Sequence, residues 1–475
     1  MSCPGHNQNK ARSRTYSITK GCDRMIITTA PHTSYRRIWQ LSWPVMVSNI
    51  SLPLVGAVDV AMMGHLPDPA FVGGVALGGL VFNFLYLTFG FLRMGTTGLT
   101  ALAAGAGKRD EVASVFIRGH LLAFICGFGV VACLPAILWL TNLTLTASAD
   151  SLSHMETYLE IRIWGLPATL ANAVILGSLF GLQKMRLCMV QLLTVNLMNI
   201  LLSMLFVLGL GWEVAGVALA SVCAEWVGLG LMVVIILRPS QPMIHKIKSV
   251  SREQLKDRAE WSKLMAIAKN LSLRTLLIWA VEALLISQAA RIGDVELASI
   301  QIILVLFGFI AFSLDGFAHA TEALTGQMVG NRNPSGLRIM IRKSCILAGF
   351  TAVLISCILF LLKPIILPLM TSQPELLHLT SQIWIWVLAI PLSAFLAFQM
   401  DGVFVGAAST LHMRNGMIIA FSVFAGLISI LSVGFFDRHY LDGLLFAFIL
   451  YLIIRGIYLV ACLPSVMRLS QTSGS

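Results

Sequence analysis

Few side chains in this sequence could do chemistry, and the one that stands most alone is Asp59. It is the single carboxylate in the apolar stretch from Pro44 to Leu66. A charge at membrane depth is costly, so such a residue needs a partner, a wet cavity or a proton. Pro53 lies six residues earlier. Proline cannot donate to the carbonyl four residues back, here that of Asn49, so it can bend the helix. Asn49, Pro53, Gly56, Asp59 and Met63 follow helical spacing and form a stripe of polar and small residues. A titratable group beside a prolyl kink is suited to switching. The competing reading is an inert acid near a helix end.

Other polar residues interrupt the apolar runs. Asn196, Asn199 and Ser203 share one helical face, and Asn172 and Ser221 come from neighbouring runs. Amides and hydroxyls both donate and accept, so this set suits a carboxylate in either protonation state. It suits interhelical hydrogen bonding equally well. Further along, Gln301, Gly308, Asp315, His319 and Glu322 make a second stripe, with Arg274, Glu282, Gln399 and Asp401 on other runs. Such a stripe belongs in a bundle interior or a cavity rather than against lipid. From spacing, Arg274 pairs with either Asp315 or Glu322. No HExxH, P-loop, G-x-S-x-G or CxxC motif is present, and nothing suggests an enzyme, a metal site or a cofactor.

The elements that must position these residues are membrane helices. The chain has 475 residues, 57% hydrophobic and 12% charged, against roughly 25% charged in soluble domains. Apolar runs of about 20 residues recur to the end of the sequence. The patterning predicts an all-α polytopic protein with twelve spans, near 39–64, 72–105, 113–140, 153–182, 188–211, 214–238, 265–291, 295–329, 337–362, 375–407, 413–436 and 441–464. The net charge of +11 does not call for nucleic acid, because Lys and Arg concentrate in alternate short loops. Lys108, Arg109, Lys184, Arg186, Arg332, Arg338 and Arg414 fall on one side, while Arg291, Lys363 and Arg438 fall on the other. The first side, with both termini, is therefore expected in the cytoplasm.

The halves repeat. Gly107 matches Gly330, Pro167 matches Pro391 and Gly216 matches Gly443, at nearly one offset. Even-numbered halves share an orientation, so two six-helix lobes are expected about a pseudo-two-fold along the membrane normal, with a substrate site between them. The expected divisions are a polar, basic, disordered tail over 1–37, a first lobe over 38–238, a linker over 239–262, a second lobe over 263–465 and a tail over 466–475.

Several motifs carry a resemblance to a known family. They are Val58-Asp59-Val60-Ala61-Met62-Met63-Gly64-His65-Leu66, Phe91-Leu92-Arg93-Met94-Gly95-Thr96-Thr97-Gly98-Leu99, Ala290-Arg291-Ile292-Gly293-Asp294, Asp315-Gly316-Phe317-Ala318-His319-Ala320 and Met400-Asp401-Gly402. In combination they resemble the multidrug and toxic compound extrusion (MATE) transporters, most closely the DinF-like branch, over about 38–465. The resemblance implies the MATE fold, with its two lobes in a V, in a monomer in the bacterial inner membrane. It implies antiport of organic cations or amphipathic drugs against H⁺ or Na⁺. It assigns proton binding to Asp59, with Asn172, Asn199 and Ser221 as polar partners, to which the spacing adds Asn196 and Ser203, with Pro53 as the kink. Met62, Met63, Glu282, Gln301 and Gln399 are candidate cleft residues. Arg274, Asp315, His319 and Glu322 form a second-lobe polar network. Many relatives carry a second acid where Ser203 stands. With one acid in the first lobe, H⁺ coupling is favoured over Na⁺. The remaining alternative is a flippase for lipids or lipid-linked precursors, which calls for a basic central cavity.

Overall fold

In the computed structural model, residues 34–64, 70–236, 250–431 and 438–471 are described, and among them every regular element is helical. Residues 1–33 of the expected tail, 239–249 of the expected linker and His65-Leu66 of the first motif lie outside the described residues. So does the side chain of Pro53, although its backbone is helical.

The first half contains α1 (Tyr35–Gly64), α2 (Ala70–Thr88), α3 (Phe91–Gly105), α4 (Arg109–Ala132), α5 (Leu134–Thr144), α6 (Ala149–Arg162), α7 (Leu166–Gly181), α8 (Met185–Ser203) and α9 (Glu213–Ile236). A short helix, α10 (Arg252–Lys256), precedes the second half. That half contains α11 (Arg258–Ile292), α12 (Asp294–Gly330), α13 (Pro334–Met370), α14 (Pro374–Gln382), α15 (Trp384–Gly406), α16 (Thr410–Leu431), α17 (Arg438–Ala461) and α18 (Leu463–Leu469). Eleven spans among the described residues are long and apolar enough to cross a membrane. The 30-residue α1 precedes them.

Several expected spans prove to be broken helices, the third span at Cys133 and the twelfth at Cys462. The second breaks between α2 and α3 at Phe89-Gly90. The fourth breaks between α6 and α7 at a 3₁₀ turn, Ile163–Gly165, followed by Pro167 at the start of α7. The tenth breaks at Ile383, although Pro391 lies inside α15. A proline within the first turn replaces a donor that has no intrahelical partner there, so α7 starts without loss. The helices also run past the expected limits. α1 begins before residue 38, α11 begins at Arg258 within the expected linker, and α18 occupies part of the expected C-terminal tail. α10 is fixed to the first half by Arg118, which donates to the Gln254 carbonyl at 2.8 Å and lies 3.7 Å from Glu260.

The internal repeat is visible in backbone conformation. The turns after α3 and α12 put Gly107 and Arg332 at positive φ, and those after α7 and α15 do the same with Gln183 and Ala408. Both pairs are 225 residues apart. Each ends a helix at the bundle end carrying the basic loops, called the basic end below.

The apolar core is forked. At the basic end one cluster joins both halves, with Phe180, Leu92 and Val174 packed into the same core as Phe317, Met400 and Phe404. Toward the other end the core separates. Met63, Phe71, Met155 and Tyr158 form a cluster in the first half, and Ile303, Val387, Phe424 and Phe448 form another in the second. Glycines follow the same division. At the basic end, Cβ atoms on Gly98, Gly105, Gly326 and Gly330 would collide with the opposite half. Near the other end, Gly56 of α1 and Gly308 of α12 face open space. The molecule is a V of two lobes, closed at the basic end.

Candidate functional site

Asp59 lies in the arm of the first lobe, five residues from the end of α1. It is 9% exposed. Ser203 Oγ donates to its Oδ1 at 3.3 Å. Ser203 is the last residue of α8 before a π turn, Met204–Gly209. The wider turn changes the helical register beside this contact, and π bulges often mark functional positions. The expected pairing of Ser203 with the acid is therefore present.

The other expected partners are arranged differently. Asn172 faces Glu225, a residue that the sequence reading passed over. Its Nδ2 donates to Glu225 Oε2 at 2.8 Å and to the Glu225 carbonyl at 2.9 Å. Gln191 Nε2 donates to Asn172 Oδ1 at 3.0 Å, which fixes the orientation of the Asn172 amide. Asn199 donates to Ser221 at 2.7 Å, and Asn196 to Ser51 at 2.6 Å. These two bonds tie α8 to α9 and α1 respectively. They fit the interhelical reading rather than a shell around Asp59.

Glu225 corrects the expectation of a single acid in this lobe. Arg162 adds a buried cation that was also missed. Its guanidinium lies over the Phe82 ring, 3.7 Å from the centroid, in cation–π geometry. Among the described residues its Nη1 has no hydrogen-bond partner. The broken fourth span makes this placement possible. Arg162 ends α6, and Gly165 in the following 3₁₀ turn leaves room for the guanidinium. A Cβ at Gly165 would stand 2.7 Å from Nη1. Neither Asp59 nor Glu225 has a basic side chain within ion-pair distance among the described residues. Arg162 acts on both from farther away. The lobe thus contains two carboxylates held by neutral donors and one arginine that neither binds directly.

A usable signal existed for both missed residues. Glu225 is a lone charge in an otherwise apolar run, as Asp59 is, and Arg162 is the only arginine or lysine of α6, beside Glu156 and Glu160. Their mutual placement depends on how α6, α7 and α9 rotate against one another.

The second lobe is arranged otherwise. Arg274 pairs with Asp401 at 2.6 Å, not with Asp315 or Glu322 as spacing allowed. Arg455 of α17 binds the same Asp401 oxygen. Glu322 accepts from His319 at 3.1 Å and lies 3.5 Å from Arg93 of the first lobe. Asp315 is partly buried close to these charges.

The candidate cleft residues divide. Met62 and Met63 are buried in the apolar cluster of the first arm. Gln399 is buried too, with its Oε1 accepting from Thr321 and Ser344. None of the three lines an open wall. Their helices turn these side chains toward neighbours in the same lobe. Gln301 is exposed, in line with exposed Val305 and Phe309 on the outer part of α12, and Glu282 is partly buried. Trp279 of α11 meets Phe84 of α2 across the lobes, with centroids 5.8 Å apart. No group of three or more His, Cys, Asp or Glu residues among the described ones could hold a metal ion.

Comparison with known proteins agrees with this architecture. The MatE family model matches twice, at residues 44–205 and 271–432. The matches are displaced by 227 residues, within two of the 225 that separate the paired turns. The chain is 34% identical over 440 residues to DNA damage-inducible protein F of Escherichia coli, covering 92% of this chain and 94% of that one. It is 26% identical over 398 residues to a probable multidrug resistance protein NorM of Thermotoga maritima, covering 81% and 82%. Among solved structures, MATE in the straight conformation superposes with a TM-score of 0.82 at 20% identity, over 94% of this chain and all of that one. The bent conformation gives 0.80 over 92% and 97%. With its helices, its repeat and its forked core all accounted for by one pattern used twice, this multi-pass membrane chain belongs to the MatE family.

Proposed function

We propose that the chain is a multidrug efflux transporter, and that protons drive it by antiport through the first lobe. The relatives' names support drug export, and the observation that carries proton coupling is the environment of Asp59. Apolar surroundings disfavour a charged carboxylate unless a cation balances it. Asp59 has a hydroxyl as its near partner and a cation only at longer range. Taking up a proton there leaves no arginine stranded. A hydroxyl can also turn to serve either form of the acid.

The cycle follows from that chemistry. With the cleft open opposite the basic end, Asp59 takes a proton and the α1 arm repacks near Pro53, displacing a cationic or amphipathic compound. With the cleft open to the cytoplasm, Asp59 loses the proton and the compound binds again. The gradient biases a two-state equilibrium, because the states differ in proton affinity. The basic end, with both termini, is the cytoplasmic end, by the distribution of Lys and Arg. The setting is a bacterial inner membrane, and the unit is a monomer. Glu282 and Gln301 belong to the substrate surface.

A flippase for pyrophosphate-linked lipids would need free cations in the cleft. Of the arginines suited to that task, Arg274 is held by Asp401, and Arg93 is held by Glu322 while the basic end is closed.

The test is ethidium transport in everted vesicles under separately imposed pH and Na⁺ gradients. The pH gradient alone should energise the parent protein, and Asp59→Asn should abolish the response. Proton-driven transport retained in Asp59→Asn removes the acid from the mechanism. Transport energised by Na⁺ alone replaces the ion.

A further inference from the structure

The basic end of the V is shut by a polar cluster as well as by apolar packing, and that cluster crosses the lobes. Arg93, on α3, belongs to the first lobe. Its Nη1 lies 3.5 Å from Glu322 Oε2 and 3.4 Å from His319 Nδ1, both on α12 of the second lobe. The same His319 nitrogen lies 3.1 Å from the same Glu322 oxygen. A neutral ring nitrogen either donates or accepts. Donation to Glu322 uses the shorter contact and lets one carboxylate oxygen serve both lobes. Phe180 of α7 lies face to face with the imidazole, with centroids 4.8 Å apart and planes 18° apart. The Arg93 guanidinium is 5.7 Å from that ring centroid. Each lobe therefore supplies two of the four residues.

Around the cluster the lobes meet without space. Gly98 abuts the Val405 carbonyl, Gly105 the Gln327 carbonyl and Gly330 the Leu102 carbonyl. Gln183 donates to Gln327 across the lobes, and Arg37 donates to Gln183 at 2.7 Å.

The charges are desolvated here, with the Glu322 side chain 3% exposed and that of Arg93 16%. A buried charge that loses its partner is strongly unfavourable, whereas in a water-filled cleft each charge is hydrated. Separation at this end must therefore break the pair and wet both members together. We infer that Arg93, Phe180, His319 and Glu322 form a latch that holds the basic end closed, and that its release is a required step of the transport cycle. Arg93 and Glu322 act as positioning residues, because they set which lobe arrangement is populated and need not touch the transported compound. The inference rests on the export reading only in requiring an arrangement open at the basic end.

The experiment is amide hydrogen exchange on the full chain in lipid nanodiscs, without substrate or gradient. Peptides covering residues 98–108 and 322–333 report on the seal. Local opening raises exchange in such segments. Arg93→Ala and Glu322→Gln should each raise it several-fold. The double variant should raise it by less than the two effects combined, since no orphan charge remains. Arg93→Lys, which keeps the charge, should have the smallest effect. Unchanged exchange in both single variants, or strictly additive effects in the double, overturns the inference. If a charge variant fails to fold, Phe180→Leu removes the ring without altering charge. A rise at the same peptides is then expected, and its absence overturns the latch. Absent dye export with intact exchange coupling would reject the export reading and leave the latch standing.

Discussion

The two lobes share a pattern of helices and treat their buried acids in opposite ways. In the first, Asp59 and Glu225 are held by a serine and an asparagine, and Arg162 rests on an aromatic ring. In the second, Asp401 is clamped by Arg274 and Arg455, and Glu322 accepts from His319 beside Arg93. A carboxylate held by neutral donors can gain a proton without abandoning a cation. One clamped by two arginines cannot, because two buried positive charges would be left behind. On the proposed proton-driven cycle, this difference suits the first lobe to proton exchange and the second to rigidity, although sequence repetition alone would make them equivalent.

The sharpest way to break this comparison is Asp401→Asn. It should destabilise the protein by about 3–5 kcal/mol, the cost of breaking a buried ion pair from one side. Thermal denaturation in detergent measures this directly, and a near-neutral change would mean that the clamp is dispensable. Glu225→Gln should cost much less, about 1 kcal/mol, because an amide can replace one hydrogen-bonding group with another. A loss as large as that of Asp401→Asn would make the two lobes alike.

The next effect concerns pH. Arg162→Ala removes the one cation that acts on both first-lobe acids. Each carboxylate then accepts a proton more readily, so the pH of half-maximal dye efflux should move upward. A downward shift or none would show that Arg162 has only a packing role. Gly165→Ala should act in the same direction but more weakly, because the added methyl crowds the guanidinium without removing its charge. Smallest of all is Ser203→Ala. It removes one hydroxyl donor, and should slow proton-driven efflux by several-fold rather than abolish it. Equal loss in Ser203→Ala and Asp59→Asn would move the switch from the acid to its partner.

Much of the architecture was readable before any coordinates. Apolar runs of membrane length specify helices, because backbone polar groups cannot go unpaired in lipid. Glycines and prolines at one offset revealed the repeat, which returns as the paired turns at Gly107 and Arg332 and at Gln183 and Ala408. Asp59 was conspicuous because one charge in an apolar run is costly wherever it points, whereas the polar stripe left a contact with Ser203 and interhelical bonding as equal readings until the helices were placed. The breaks at Phe89-Gly90 and Ile383 were not readable, since neither carries a proline at the break itself.

The pairings of charges depended on something a linear pattern does not contain. Arg274 and Asp401 are 127 residues apart, and Asn172 and Glu225 are 53 apart. Whether they meet depends on the rotation of each helix about its axis and on which helices are neighbours. Met62, Met63 and Gln399 were sensible cleft candidates by type, and rotation turned them inward. The sequence by itself determined that this chain is a repeated bundle of membrane helices with isolated charges that need an explanation. Tertiary structure alone decided which charges neutralise one another and which remain able to accept a proton, because Coulomb energy depends on distance and burial, and both are properties of the packed lobes.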